Sequence, residues 1–212
     1  MRHLAKRNRK MGEFSEAILK YAKNLPEGGI ISAKEFLHLG NRANVDQALS
    51  RLAKRGELLR VGRGMYTRPV KSRFGVAPPL SRTVLNSIRK RTGESIVPSG
   101  AVAANALGLS TQVPMREMFL TSGPSRKISL GRTEVELRHA PQWQLKEGVA
   151  GAALRALLSF GEEYSAETLE QLWERLSESE KKQLVALRGS APAWLAAAIG
   201  RQATRGEEAV VA

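Results

Sequence analysis

Apolar residues recur at helical spacing between Asn41 and Gly56, and they predict an amphipathic helix. The buried face follows the i, i+3, i+4, i+7, i+8 pattern and consists of Val45, Ala48, Leu49, Leu52 and Ala53. Polar residues three and four apart form the opposite face, namely Asn44, Gln47, Arg51 and Lys54. Because glycine tolerates a left-handed backbone, Gly56 is expected to end this helix.

A short hairpin is predicted directly after this helix. Residues 57–61 and 65–68 are strand-like, and Gly62-Arg63-Gly64 supplies the turn. A polar, basic helix followed by a basic hairpin indicates a winged helix-turn-helix, whose helix enters the major groove while the hairpin lies against the phosphate backbone. The candidate DNA-binding residues are Arg42, Asn44, Gln47, Ser50, Arg51, Lys54, Arg60, Arg63 and Arg68. A merely solvated helix face is the alternative interpretation.

The segments before this helix complete a domain predicted for residues 1–70. A basic arm at residues 2–10 is either a frayed terminus or a tail that contacts DNA. A first helix is expected at residues 12–23 and a very short strand at Ile30-Ile31. Ser32 and Glu35 have the spacing of a capping box, which predicts a second helix over residues 33–39.

Proline and glycine separate a second predicted domain, residues 80–212, from the first. Residues 69–79 hold three prolines and a glycine, which is typical of a linker. A small α/β module follows, with helices at 81–91 and 101–107, strands at 96–97 and 118–120, and a hairpin of residues 127–130 and 133–138. The predicted fold class is therefore α+β.

The chain after Glu147 is predicted to be helical. One helix is expected at residues 152–160, and Ser165 is expected to cap the next. A second capping box at Ser177 and Glu180 opens a helix that runs through Leu187. Pro192 lies in the first turn of a last helix, and the tail from residue 205 is expected to be disordered.

Charge is concentrated at one end of the chain. The net charge is +14, and residues 1–75 hold 17 Lys and Arg against six Asp and Glu, so they carry +11. Residues 76–150 carry +5 and residues 151–212 carry −2. The first part therefore favours a polyanionic partner.

Cysteine is absent, which excludes disulfides, zinc fingers and thiol catalysis. No apolar run approaches the roughly 18 residues of a membrane span, and no signal sequence is recognisable. We expect a cytoplasmic protein without a membrane partner.

Residues that could support catalysis are sparse. Asp46 is the sole aspartate, whereas two-metal nucleases and nucleotidyltransferases need clustered carboxylates. The three histidines, His3, His38 and His139, have no metal-site spacing, and no phosphate-binding loop motif occurs. The sequence therefore predicts no enzyme activity, no bound metal and no cofactor.

Two stretches resemble one protein family. Residues 51–66, with Arg55-Gly56-Glu57-Leu58-Leu59 at their centre, resemble the winged-helix part of the AbiEi-type antitoxins of bacterial abortive-infection (type IV) toxin–antitoxin systems. Residues 98–114, which end in Thr111-Gln112-Val113-Pro114, look like that family's short helix and Thr-Gln-x-Pro turn. The two stretches occur in the same order, within about residues 12–140.

This resemblance implies an antitoxin that represses its own promoter through the first domain and counteracts a nucleotidyltransferase-type toxin. Direct contact with the toxin, and a homodimer bound to two half-sites of double-stranded DNA, are left open. The role of the helices after residue 147 is also left open. The alternatives are a winged-helix targeting subunit of a nucleic-acid-processing enzyme and a plain transcriptional regulator.

Overall fold

The computed structural model describes the backbone of residues 2–73, 75–112 and 116–211, and the side chains of residues 12–205 within those ranges. Over these ranges the chain is an α+β protein with seven α-helices and small sheets. It forms two compact units. The first unit contains Met1–Glu94 and Lys127–Val135, and the second unit contains Ser95–Arg126 and Glu136–Ala212.

The first unit is built around two packed helices. Helix α1 spans Arg2–Asn24, a 3₁₀ turn spans Ala33–Phe36, and helix α2 spans Arg42–Lys54. Strands β1 (Leu59–Gly62) and β2 (Met65–Thr67) follow as an antiparallel hairpin. The core of this part consists of buried apolar side chains from α1, the 3₁₀ turn, α2, β2 and the connecting segments, among them Phe14, Ile18, Ile31, Phe36, Leu49, Leu52, Leu58 and Tyr66.

Hydrogen bonds form the predicted capping box and short strand that precede α2. Ser32 and Glu35 form the expected capping box, in which Glu35 Oε2 accepts from the Ser32 backbone N at 2.8 Å. Ile31 pairs with Tyr66 through two backbone hydrogen bonds of 2.8 and 2.9 Å, so the predicted short strand is confirmed as a single bridge. The helix predicted over residues 33–39 is shorter than expected, because the regular 3₁₀ turn ends at Phe36.

The first helix is longer than predicted. The expected bounds were residues 12–23, whereas α1 begins at Arg2, so the predicted basic arm has a helical backbone. Lysine and arginine are good helix formers and no proline interrupts residues 2–11, which accounts for the extension. The side chains of that segment lie outside the described residues.

The predicted linker is a second hairpin. Strands β3 (Val70–Ser72) and β4 (Gly75–Ala77) pair antiparallel, with Val70 opposite Ala77. The prolines of this stretch flank the hairpin without entering its paired residues, so they cost no ladder hydrogen bond. The prediction of a linker at residues 69–79 is therefore wrong, because most of this stretch is a paired hairpin.

Helix α3, Ser81–Thr92, also belongs to the first unit. Its Arg91 donates from Nη2 to Ser32 Oγ at 2.6 Å and forms an ion pair of 2.5 Å with Glu35. A Cβ on Gly28 would lie 2.6 Å from Thr83 Oγ1, so α3 approaches this glycine closely. The first unit consequently extends beyond the predicted domain of residues 1–70.

The remaining strands form one sheet. They are β5 (Ile96–Pro98), β6 (Glu117–Thr121), β7 (Arg126–Leu130) and β8 (Thr133–His139), and their order is β5-β6-β8-β7. Strands β5 and β6 are antiparallel, with Val97 opposite Leu120. Inward residues of β8 alternate with exposed ones, and Val135 and Leu137 are fully buried, as the sequence predicted.

Helices make up most of the second unit. They are α4 (Gly100–Ala106), α5 (Gly148–Trp173), α6 (Glu178–Leu187) and α7 (Ala193–Val211). Their core contains Leu154, Leu157, Leu169, Leu172, Trp173, Leu184, Leu195 and Ile199. The capping box of Ser177 and Glu180 is confirmed, with Glu180 Oε2 accepting from Ser177 N at 2.8 Å.

Two predictions for the second unit, the cap at Ser165 and the disordered tail, are wrong, and the Thr-Gln-Val-Pro turn lies partly outside the described residues. Ser165 is buried and donates to the Glu162 carbonyl, and the break in α5 occurs at Gly161, whose φ of +79° interrupts the helix. The tail expected to be disordered continues α7 to Val211. Of the Thr-Gln-Val-Pro turn, Val113 and Pro114 lie outside the described residues.

Candidate nucleic-acid interface

Helix α2 carries six of the predicted contact residues, and each of them is exposed or half-buried. Asn41 caps the helix by accepting from the Asn44 backbone N at 3.0 Å, and the backbone at Gly56, with a φ of +74°, follows its end as predicted. The apolar face buries Val45, Ala48, Leu49 and Leu52 completely. Because a helix repeats every 3.6 residues, this burial turns the polar side chains of α2 outward.

The polar side chains of α2 differ in whether they already have a partner. Arg42 is committed to Asp46 by an i,i+4 ion pair of 2.9 Å. Arg51 and Lys54 are exposed and have no hydrogen bond or ion pair to any described residue. Asn44 is exposed, whereas Gln47 and Ser50 are half-buried. Arg51 and Lys54 are therefore the cations of α2 that remain available for an anionic partner.

The turn that connects α2 to β1 is fixed by backbone hydrogen bonds to the last turn of α2. Leu52 O accepts from Glu57 N at 3.0 Å and from Leu58 N at 3.3 Å. The pairing register shifts between Arg60 and Gly62, close to the turn. A register shift of this kind bends and twists the strand next to the hairpin tip.

Three arginines project from this hairpin and its end. Arg60, Arg63 and Arg68 are exposed, and none of them is paired within the described residues. Among the described residues, α2, the hairpin and its end thus present five unpaired cations, which are Arg51, Lys54, Arg60, Arg63 and Arg68. Exposed cations without acidic partners are the side chains that neutralise phosphates.

Sequence reasoning missed a further group of cations in the first unit. Lys71 and Arg73 are exposed on the β3–β4 hairpin, and Arg82 and Lys90 are exposed on α3. The prolines around residues 69–79 led to a linker assignment, although the two basic residues in the stretch were a usable signal. These cations belong to the same compact unit as α2 and extend its basic character beyond residue 70.

Groups typical of catalysis are sparse in the described part of the chain. It holds no set of three or more His, Asp or Glu side chains placed to hold a metal ion. The imidazole of His139 lies 3.0 Å from the Gly123 carbonyl oxygen through its Nδ1, so a structural hydrogen bond occupies it. Among the same residues, no helix has both the length and the apolar character needed to cross a membrane.

Comparison with known proteins gives a family but no activity. Residues 17–185 match DUF6088, described as a family of unknown function. The match begins within α1, includes α2, the β1–β2 hairpin, the β3–β4 hairpin and the four-stranded sheet, and ends within α6. No curated protein matches the chain.

Proposed function

We propose that this chain, which belongs to the DUF6088 family, is a cytoplasmic DNA-binding autorepressor and antitoxin. In this proposal the first unit is a winged helix-turn-helix that binds double-stranded DNA at the chain's own promoter. The remainder counteracts a nucleotidyltransferase-type toxin, as the resemblance to AbiEi-type antitoxins implies. The observation that carries the DNA-binding part is the set of five exposed cations on α2 and its hairpin that lack partners among the described residues.

The arrangement of elements in the first unit supports the winged-helix interpretation. A helix, a one-residue strand, a 3₁₀ turn, a second helix and a hairpin follow one another from α1 to β2. The bridge between Ile31 and Tyr66 adds that short strand to the hairpin. In a winged helix the second helix of the helix-turn-helix reads the major groove, and here that helix is α2.

Different side chains would then read bases and bind phosphates. Gln47 and Arg51 lie in the middle of α2, and their side chains make bidentate contacts to adenine and guanine respectively. Lys54, Arg60 and Arg63 would neutralise phosphates and so contribute affinity without sequence preference. Arg42 would contribute less, because Asp46 already compensates its charge.

The antitoxin role is assigned to the second unit. That unit has its own hydrophobic core, centred on Leu154, Leu157, Leu172 and Leu195. Residues 151–212 carry a net charge of −2, which makes the C-terminal helices poor ligands for DNA. Direct binding of the toxin is not part of the proposal.

Binding to the chain's own promoter tests the proposal. Fluorescence anisotropy would compare a labelled promoter fragment with a shuffled duplex of equal length, at one physiological salt concentration. We expect about 10³-fold or tighter preference for the promoter, the lower end for specific DNA-binding proteins. Equal affinity for both duplexes would contradict the repressor function. Cleavage of the promoter fragment with magnesium or manganese would instead favour a nucleic-acid-processing enzyme.

A further inference from the structure

The second unit contains a cavity of about 360 Å³ that the proposed function does not use. It is lined by residues of β5, α4, β6, β8 and α5 and their flanking turns. Gly100 keeps α4 close to α5, since a Cβ there would lie 2.4 Å from the Arg155 carbonyl oxygen. The volume falls within the range of small-molecule sites, which runs from roughly 300 to 1,000 Å³.

Three arginines line this cavity, and no acidic side chain does so among the described residues. Arg116 is exposed and has no described partner. Arg138 is exposed as well, and its Nε donates to Glu136 at 2.8 Å. Positive charge converging on a concave surface strengthens the local field for an anion.

Arg155 is the buried member of this set, at 3% exposed. Its Nη1 donates to the carbonyls of Gln144 and Lys146 at 2.9 and 2.7 Å, which fixes the turn before α5. Its Nε has no partner among the described residues. Burial lowers the pKa of Arg155 to about 10, opposed by the charge of Glu147, so the guanidinium remains protonated at pH 7.

Polar and apolar groups complete the lining. Ser99 is 6% exposed, and its hydroxyl makes no capping bond to α4 and has no described partner. Its hydroxyl is therefore available to donate to a ligand in the cavity. Met118, Leu120 and Leu158 form an apolar wall across the same cavity.

We propose that this cavity binds a small phosphomonoester with an apolar or aromatic body. The phosphate dianion matches the arginines and the Ser99 hydroxyl, because charge-assisted bonds from guanidinium to phosphate are the strongest available here. The organic body packs on Met118, Leu120 and Leu158. This inference does not depend on the DNA-binding proposal.

Calorimetric titration of the full chain with phenyl phosphate tests this site. We expect saturable binding that is at least tenfold weaker in Arg116→Ala/Arg138→Ala and unchanged in Arg201→Ala, which removes an exposed arginine of α7. The two cavity arginines are exposed, so their removal should leave the fold intact by circular dichroism. Ser99→Ala should also weaken binding. Phenol, benzoate and inorganic phosphate should each bind at least tenfold less tightly.

Several results would overturn the proposal. One is the absence of binding at millimolar phenyl phosphate, and another is equal affinity in the double variant. Benzoate or inorganic phosphate binding as tightly would show that the site does not select an organic phosphate. Loss of binding in Arg63→Ala would move the phosphate to the first unit. Tighter binding of a single-stranded oligonucleotide, lost in the same double variant, would assign the surface to a nucleic acid.

Discussion

The salt dependence of DNA binding can be worked out from the unpaired cations of the first unit. Each phosphate that a protein neutralises on double-stranded DNA contributes about −0.9 to the slope of log K against log salt concentration. Five cations on α2 and its hairpin are exposed and unpaired among the described residues, namely Arg51, Lys54, Arg60, Arg63 and Arg68. On a random duplex Arg51 has no cognate base to contact, so all five cations can bind phosphate and the slope should be about −4.5.

Removing two of these charges should reduce the slope by a defined amount. Arg60→Ala with Arg63→Ala leaves three cations, so the slope should become shallower, from about −4.5 to about −2.7. Both side chains are exposed, so the substitutions should not affect the core. Anisotropy titrations of a random duplex between low and physiological salt give the slope for each protein.

A control substitution in the second unit separates local from global effects. Arg201→Ala removes one positive charge from α7, in the second unit, and its slope should remain about −4.5. A wild-type slope near zero would refute the electrostatic basis of binding. An unchanged slope in the double variant would show that the hairpin does not contact the phosphate backbone.

Three further predictions concern specificity and stability. Arg51→Ala should cost roughly 1–3 kcal/mol on the promoter and less on random DNA; equal losses in anisotropy assays would reassign Arg51 as a phosphate contact. Leu49→Ala, at a fully buried position of α2, should lower the free energy of unfolding in urea by about 2–5 kcal/mol, whereas Lys54→Ala should change it by less than about 0.5. The hydrogen bonds from Ser177 lower the pKa of Glu180 below its usual 4.5. That capping box therefore stabilises α6 above pH 4.5 and loses this contribution as the pH falls through the lowered pKa, so Glu180→Gln should flatten the pH dependence of urea unfolding in this range.

Elements specified by short-range chemistry were predictable from the sequence. The buried face of α2 and the capping boxes at Ser32 and Ser177 depend on residues three or four positions apart, and all of them occur in the structure. The outward direction of Arg51 and Lys54 follows from the same periodicity. The i,i+4 pair of Arg42 with Asp46 was equally local, although it reduces the availability of a predicted contact residue.

Features that depend on distant partners could not be predicted in this way. Arg91 joins α3 to the first unit through Glu35, which is remote in sequence, so no local pattern shows where the unit ends. The β3–β4 hairpin was obscured by prolines that lie outside its paired residues. Gly161 interrupts α5 without a proline or a capping side chain, whereas the sequence pattern predicts a helix start at Ser165. The cavity lined by Arg116, Arg138 and Arg155 gathers residues from separate elements and left no motif in the sequence.

The extent of the two units determines which variants can separate the proposed repression from the proposed antitoxin role. Deleting the predicted first domain at residue 70 would cut through the first unit, because α3 and residues 127–135 belong to it. Point substitutions on the exposed face keep both units complete. Arg51→Ala with Arg63→Ala removes one proposed base contact and one proposed phosphate contact without changing a buried residue.

The most direct measurement of the central claim combines two readouts in the same cells. A reporter on the chain's own promoter measures repression, and survival after induction of a nucleotidyltransferase-type toxin, the proposed functional partner, measures protection. We expect Arg51→Ala/Arg63→Ala to abolish repression while protection remains at the wild-type level, with Arg201→Ala unchanged in both assays. Undiminished repression in the folded double variant, or loss of protection together with repression, would contradict the account.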